Sequence, residues 1–127
     1  MLCIALQKQR FNIMKLTGKA KIDFEEWYLI QDYNTSCLAD YSKEQVLKSF
    51  YAMYDSFKYG ILVDFFDSKN IFISVDFETF EDCNKGLKIT INNYFCWVNQ
   101  KLINNCRTRN EARKKGVNNA NRLYNGF

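Results

Sequence analysis

A chain of 127 residues holds one domain with a single core and has no room for a second. Hydrophobic residues at 47% and aromatics at 17% exclude intrinsic disorder; the absence of histidine removes the commonest general base, metal ligand and near-neutral pH switch, leaving carboxylates, Cys or Lys for any catalysis. The net charge of +4 is uneven: residues 55–82 carry seven acids against Lys58 and Lys69, whereas residues 101–127 carry seven bases against Glu111 alone. An acidic middle and a basic tail fit partner surfaces of opposite sign, or else charges scattered over a solvated surface. Proline is absent too, so turns rest on Gly and Asn. The five cysteines, Cys3, Cys37, Cys83, Cys96 and Cys106, form no C-x-x-C pair and lack zinc-ligand spacing. They read as reduced thiols of a cytosolic protein, with no metal or cofactor expected.

Residues 1–13 stand apart and read as an N-terminal extension or the product of an upstream start codon, before a single α+β domain over 14–127. The apolar run MLCIAL has its charges after it and is too short for a signal sequence or a membrane span, so a cytoplasmic, membrane-free protein is expected. Thr17 is placed to cap a helix from Gly18 to Asp32, with Ala20, Phe24, Trp27 and Tyr28 on its core face. Tyr33 to Tyr41 is a connector. Ser42 and Gln45 then make an S-x-x-Q capping box. Val46, Leu47, Phe50, Met53, Tyr54 and Phe57 continue one apolar stripe into a helix running to Asp67, with Gly60 as a kink or a break between two shorter helices. Asp64 falls among the stripe residues. It calls for a hydrogen-bonding partner or, with Asp67 and Asp76, forms a divalent-metal site.

From Ile71 the period becomes two: Ile71, Ile73, Val75 and Phe77 alternate as in a strand with one buried face. Phe80 to Gly86 reads as a turn, and Leu87, Ile89 and Ile91 as a second strand. Asn92 and Asn93 are expected to form a two-residue hairpin loop. A third strand then carries Tyr94, Cys96 and Val98 inward and exposes Phe95 and Trp97 beside Lys88 and Phe72; a loop longer by one residue reverses that assignment. Thr108 and Glu111 make a second capping box, opening a closing helix with Ala112, Gly116, Ala120, Leu123 and Tyr124 on its buried stripe. Arg109, Arg113, Lys114, Lys115 and Arg122 project elsewhere. The expected architecture is α-α-β-β-β-α, two N-terminal helices, a three-stranded antiparallel sheet and a basic C-terminal helix.

Three blocks carry a resemblance: MKLTGKAKIDF from Met14 to Phe24, YGILVDFFDS from Tyr59 to Ser68, and TRNEARKKGVNNANRLYN from Thr108 to Asn125. They resemble a family of small phage and prophage proteins of AT-rich bacteria, whose members share a start like MKLTGKAKEDFEKW, a centre like YGVYVDFFDS and an end like SRNEARKKAIEKANELYN. This chain departs from the pattern in its N-terminal extension, in lacking a proline before the central block, and in Gly116 where Ala is usual. The resemblance implies a phage-encoded antagonist of host defence, with the anti-CRISPR proteins among the kinds it admits, acting in the host cytosol by stoichiometric binding without an active site. No G-x-x-x-x-G-K-[ST], G-x-G-x-x-G or G-x-S-x-G motif points to an enzyme.

Two functions are therefore expected. The first is an inhibitor of a host CRISPR effector, an RNA-guided type VI RNA nuclease, met alone or with its guide RNA. It would act through Arg107, Arg109, Arg113, Lys114 and Lys115, through the acidic patch of Asp76, Glu78, Glu81 and Asp82 as a charge mimic, or through Phe95, Trp97 and Lys88. The second is a direct RNA-binding module, because helix-strand-strand-strand-helix is the order of the double-stranded RNA-binding domain and the same basic residues would meet phosphates; exposed Phe95 and Trp97 would favour single strands instead.

Overall fold

The computed structural model describes residues 14–83, 86 and 88–126, apart from the side chain of Asp82. The extension at 1–13 and the start of the second strand at Leu87 lie outside the described residues. The α+β class is as expected, but among the described residues four α-helices precede the sheet, not two. They are α1 Gly18–Leu29, α2 Asp32–Thr35, α3 Lys43–Tyr51 and α4 Asp55–Ser68, with a short 3-10 helix Cys37–Ala39 between α2 and α3. Strands β1 Ile73–Asp82, β2 Ile89–Val98 and β3 Lys101–Cys106 follow, and α5 Arg109–Tyr124 closes the chain. No described helix is long and apolar enough to cross a membrane.

Helix α1 stops at Leu29 because side chains replace its next turn: Gln31 Nε2 donates to the Trp27 carbonyl (2.7 Å) and Asn34 Nδ2 to the Tyr28 carbonyl (2.8 Å). The second expected helix breaks at Ala52–Tyr54, and Gly60 lies inside α4 without ending it. Phe24 explains the break. Its ring centroid lies 4.8 Å from that of Phe50 on α3 and 5.4 Å from that of Phe65 on α4. In one straight helix, residues fifteen apart would be separated by about 22 Å. Folding the chain back at 52–54 lets both rings meet Phe24 and form the aromatic centre of the core with Tyr28, Leu62 and Phe66. The same break takes Tyr54 and Phe57 off the buried stripe and leaves both exposed, and Asp64 lies on the solvent side of α4.

The sheet is an antiparallel meander in the order β1-β2-β3. Its turns differ from the expected ones. Asn92 and Asn93 lie within β2, opposite Thr79 and Glu78, and β1 runs on through Glu81 and Asp82. The tight turn between β2 and β3 is Asn99-Gln100, where Asn99 has φ +54°. Asn99 also closes the sheet end: its Oδ1 accepts from the Phe72 N–H and its own N–H donates to the Phe72 carbonyl, both at 2.8 Å.

Helix α5 covers one sheet face through Ala112, Gly116, Val117 and Ala120, all buried. Gly116 is where the approach is closest, since a Cβ there would lie 2.9 Å from Ile73 Cγ2. Asn121 and Asn125 hold the start of α1. Thr17 occupies the N-cap position of α1 but makes no capping bond with its side chain. Its hydroxyl accepts from Asn121 Nδ2 (3.0 Å), and the helix N-terminus is capped by Asn125, whose Oδ1 accepts from the Ala20 N–H (2.8 Å).

Candidate interaction surface

The uncovered face of the sheet follows from the register. Ile73 pairs with Val98, Val75 with Cys96 and Phe77 with Tyr94, and these residues point toward α5; Cys96 and Val98 are buried. The alternate residues form the other face: Ser74 beside Trp97, Asp76 beside Phe95, Glu78 beside Asn93, and Phe80 beside Ile91. β3 adds Leu102 next to Trp97. A bulge follows at Asn104-Asn105, Asn105 taking φ +61°, which returns Cys106 to the buried face. The inward set Tyr94, Cys96 and Val98 is thus the expected one, although the hairpin that led to it is not present. Continuing β2 through Asn92 and Asn93 preserves their phase.

This face carries large apolar groups in water. Trp97 is 40% exposed, Leu102 44%, Ile91 46% and Phe80 50%, with Phe72 at the same end as Trp97. Between the two apolar clusters runs a polar ladder across all three strands: Asn93 Nδ2 donates to Asn104 Oδ1 (2.6 Å) and to Glu78 Oε1 (3.2 Å). Asp76 accepts from the N–H of Phe77 at 2.8 Å, which fixes its carboxylate at the strand surface. A hollow along Phe80, Ile91, Asn93 and Asn104 extends past the bulge to Arg107.

The structure divides the candidate residues between surfaces. Asp76, Glu78, Phe95 and Trp97 share the open face, so the acidic and aromatic candidates merge. Glu81 does not belong with them: it lies on the opposite parity of β1 and pairs with Lys88 at 3.1 Å. The side chain of Asp82 lies outside the described residues. Arg109, Arg113, Lys114 and Lys115 sit on α5, on the covered side of the sheet, and are engaged within the fold, whereas Arg107 borders the hollow of the open face. The Arg113 guanidinium is 5.0 Å from the centre of the Tyr59 ring, and that of Arg109 5.8 Å from Phe77. Lys114 reaches Asp55 (3.6 Å) and Lys115 reaches Glu111 (3.3 Å).

Glu111 is tied down further. The N–H of Arg107 donates to its Oε2 at 2.8 Å, and this bond, with Lys115, holds its carboxyl below the usual range. Thr108 Oγ1 accepts from the Glu111 N–H, so the expected cap forms, with the return bond made one residue upstream at Arg107. Asp64, Asp67 and Asp76 are not brought together: no group of three or more Cys, Asp or Glu among the described residues is placed to hold a metal ion. What sequence reasoning missed was Leu102, Phe80 and Ile91 as members of the open face. The apolar positions change parity at Asn92-Asn93, and only the continuation of β2 through that pair puts Ile91 on the open face.

No family model matches the chain, and no curated protein or solved structure is detectably similar to it.

Proposed function

We propose that this chain is a non-enzymatic inhibitor, phage-encoded and acting in the host cytosol, that binds a nucleic-acid-handling effector by its open sheet face. The observation that carries the reading is the merger of Asp76 and Glu78 with Phe95, Trp97 and Leu102 on one uncovered surface. Aromatic residues at the centre of an interface supply the buried anchors, while carboxylates steer toward a basic surface such as a nucleic-acid channel. The resemblance of the three sequence blocks to phage and prophage proteins supports the anti-CRISPR context, with a guide-loaded type VI RNA nuclease as the target.

Direct RNA binding has one observation in its favour, the helix-strand-strand-strand-helix order from α4 to α5. Against it, Asp76 and Glu78 repel phosphate at the open face, and Lys114 and Lys115 are already paired with carboxylates.

The test titrates the purified chain into guide-loaded effector and follows RNA cleavage. Inhibition should saturate near equimolar ratio and be lost on Trp97→Ala combined with Asp76→Lys. It should survive Glu81→Lys, which places the same charge on the other face of the same strand. Undiminished inhibition by the double variant would sink the sheet-face assignment. RNA retained without effector, with affinity falling steeply in salt, would put the RNA-binding module in its place.

A further inference from the structure

The helical half of the molecule contains a hollow of about 660 Å³ that the open sheet face does not use. Its size lies within the range of small-molecule sites. Residues of α1, α2, α3 and α4 enclose it, with Tyr28 and Val46 buried on its inner side and Tyr33 and Tyr41 more than half exposed at its rim.

Its lining has a specific chemistry. Three phenol rings face it, and Tyr28 and Tyr33 are in mutual contact at 5.9 Å between ring centres. Two amides face it as well, each anchored by one end. Asn34 is only 5% exposed and spends its Nδ2 on the Tyr28 carbonyl, leaving Oδ1 as an acceptor. Gln45 Oε1 takes the Ser42 N–H at 2.9 Å in the capping box, leaving its NH₂ as a donor. None of the lining residues carries a charge at neutral pH. Burial first, and then the Tyr28 phenol and the Asp64 carboxylate, push the Tyr33 phenol up from its ordinary value.

An alkyl chain would strip water from these amides and phenols and return no hydrogen bonds. A phosphate or carboxylate would find no cation among the lining residues. A flat, uncharged ring with a donor and an acceptor on its edge satisfies both the rings and the amides. We propose that this hollow binds a neutral planar heterocycle of the nucleobase class, either as a free nucleoside or as a base of a single strand.

Cys37 provides the assay. It lines the hollow and is exposed, while Cys83, also exposed, stands at the end of β1 and serves as an internal reference in the same chain. The full chain is alkylated with iodoacetamide and both sites are followed by peptide mass spectrometry, with adenosine, cytidine, ribose 5-phosphate or decanoate present at millimolar concentration. Nucleoside should slow Cys37 several-fold with Cys83 unchanged, and Ser49→Trp, placed to fill the hollow, should abolish that difference. In the unmodified protein the side-chain amide resonances of Asn34 and Gln45 should shift with nucleoside, a readout that does not depend on the variant folding. A short oligonucleotide protecting at tenfold lower concentration identifies a single strand as the source; equal potency identifies the free nucleoside. Absence of protection and of amide shifts, or equal protection by decanoate or ribose 5-phosphate, overturns the proposal.

Discussion

Two alanine substitutions at helical glycines separate backbone preference from packing. Gly60 lies inside α4, exposed, with no atom within 4 Å of the position its Cβ would take. Gly60→Ala therefore gains helix propensity with nothing set against it, about 1 kcal/mol of added stability. Gly116→Ala receives the same gain inside α5 but drives its methyl to 2.9 Å from Ile73 Cγ2, with Cys96 Sγ at 3.6 Å behind it. That γ-methyl belongs to a β-branched side chain, stiff at χ1 and buried, so it cannot swing aside. Overpacking of this kind costs about 1–3 kcal/mol. The net result is destabilisation of about 1 kcal/mol, placing the two variants roughly 2 kcal/mol apart. Urea unfolding followed by tryptophan fluorescence measures this as midpoints displaced in opposite directions at constant slope. Ile73→Leu removes the branch at Cβ and should relieve the clash, giving a favourable coupling energy in the double variant. If Gly116→Ala stabilises as much as Gly60→Ala, the helix stands off the sheet further than described and the close approach is not a constraint.

Asn125→Ala should cost about 1–2 kcal/mol by removing the cap of α1, and Asn125→Asp should recover part of it, because the acceptor for the Ala20 N–H is retained; unfolding midpoints decide. Tyr124 donates to Asp23 Oδ2 at 2.6 Å, and burial followed by that bond pushes its phenol up to about 12, above the unfolded value of about 10. Its contribution is complete below pH 10 and is lost as pH rises through 12, so Tyr124→Phe should flatten the loss of stability in that window. An unchanged slope would refute the assignment. Burial pushes the Cys96 thiol up to about 11 and raises Cys106 as well. A thiol reagent at pH 8 should therefore label Cys37 and Cys83 in the native chain and reach Cys96 and Cys106 only at the unfolding rate; Cys3 lies outside the described residues. Cys96 reacting as fast as Cys83 would contradict the packing of α5 on β2.

Local signals in the sequence were read correctly where one residue answers its near neighbour. Ser42 with Gln45 and Thr108 with Glu111 cap as their spacing requires, and Ala20, Phe24 and Tyr28 are buried on one stripe. Features decided by distant partners were not legible. The break at 52–54 contains no Gly or Pro; it exists because Phe50 and Phe65 both pack on Phe24. Asn92-Asn93 and Asn99-Gln100 look alike as turn candidates, and the choice between them is made across the sheet, where Asn93 is bonded to Glu78 and Asn104. Thr17 has the type and position of a cap, but it is Asn125, more than a hundred residues on, whose Oδ1 accepts from the Ala20 N–H. Of the candidate site, Phe95 and Trp97 point outward as expected, although the Asn92-Asn93 hairpin from which that was expected is replaced by a continuous strand. Lys114, Lys115, Arg113 and Arg109 were conspicuous by charge but lie elsewhere, engaged by Asp55, Glu111, Tyr59 and Phe77.

The two faces of the sheet hold these residues for different reasons. On the covered face, Ile73, Cys96, Val98 and Cys106 are almost wholly removed from water and stabilise the fold in proportion to that area. On the open face the register is already fixed by the Glu78–Asn93–Asn104 ladder and by the opposite side chains, so Trp97, Leu102, Phe80 and Ile91 are not needed to specify it. Each leaves 40–50% of itself in water, and that part contributes nothing to the stability of the free chain. A face whose only partner is water is filled as well by Thr or Lys, and at less risk of aggregation. Large apolar groups flanking two carboxylates gain the rest of their free energy only when a second surface covers them. That is the physical ground for proposing that this face, and not the covered one, meets a partner.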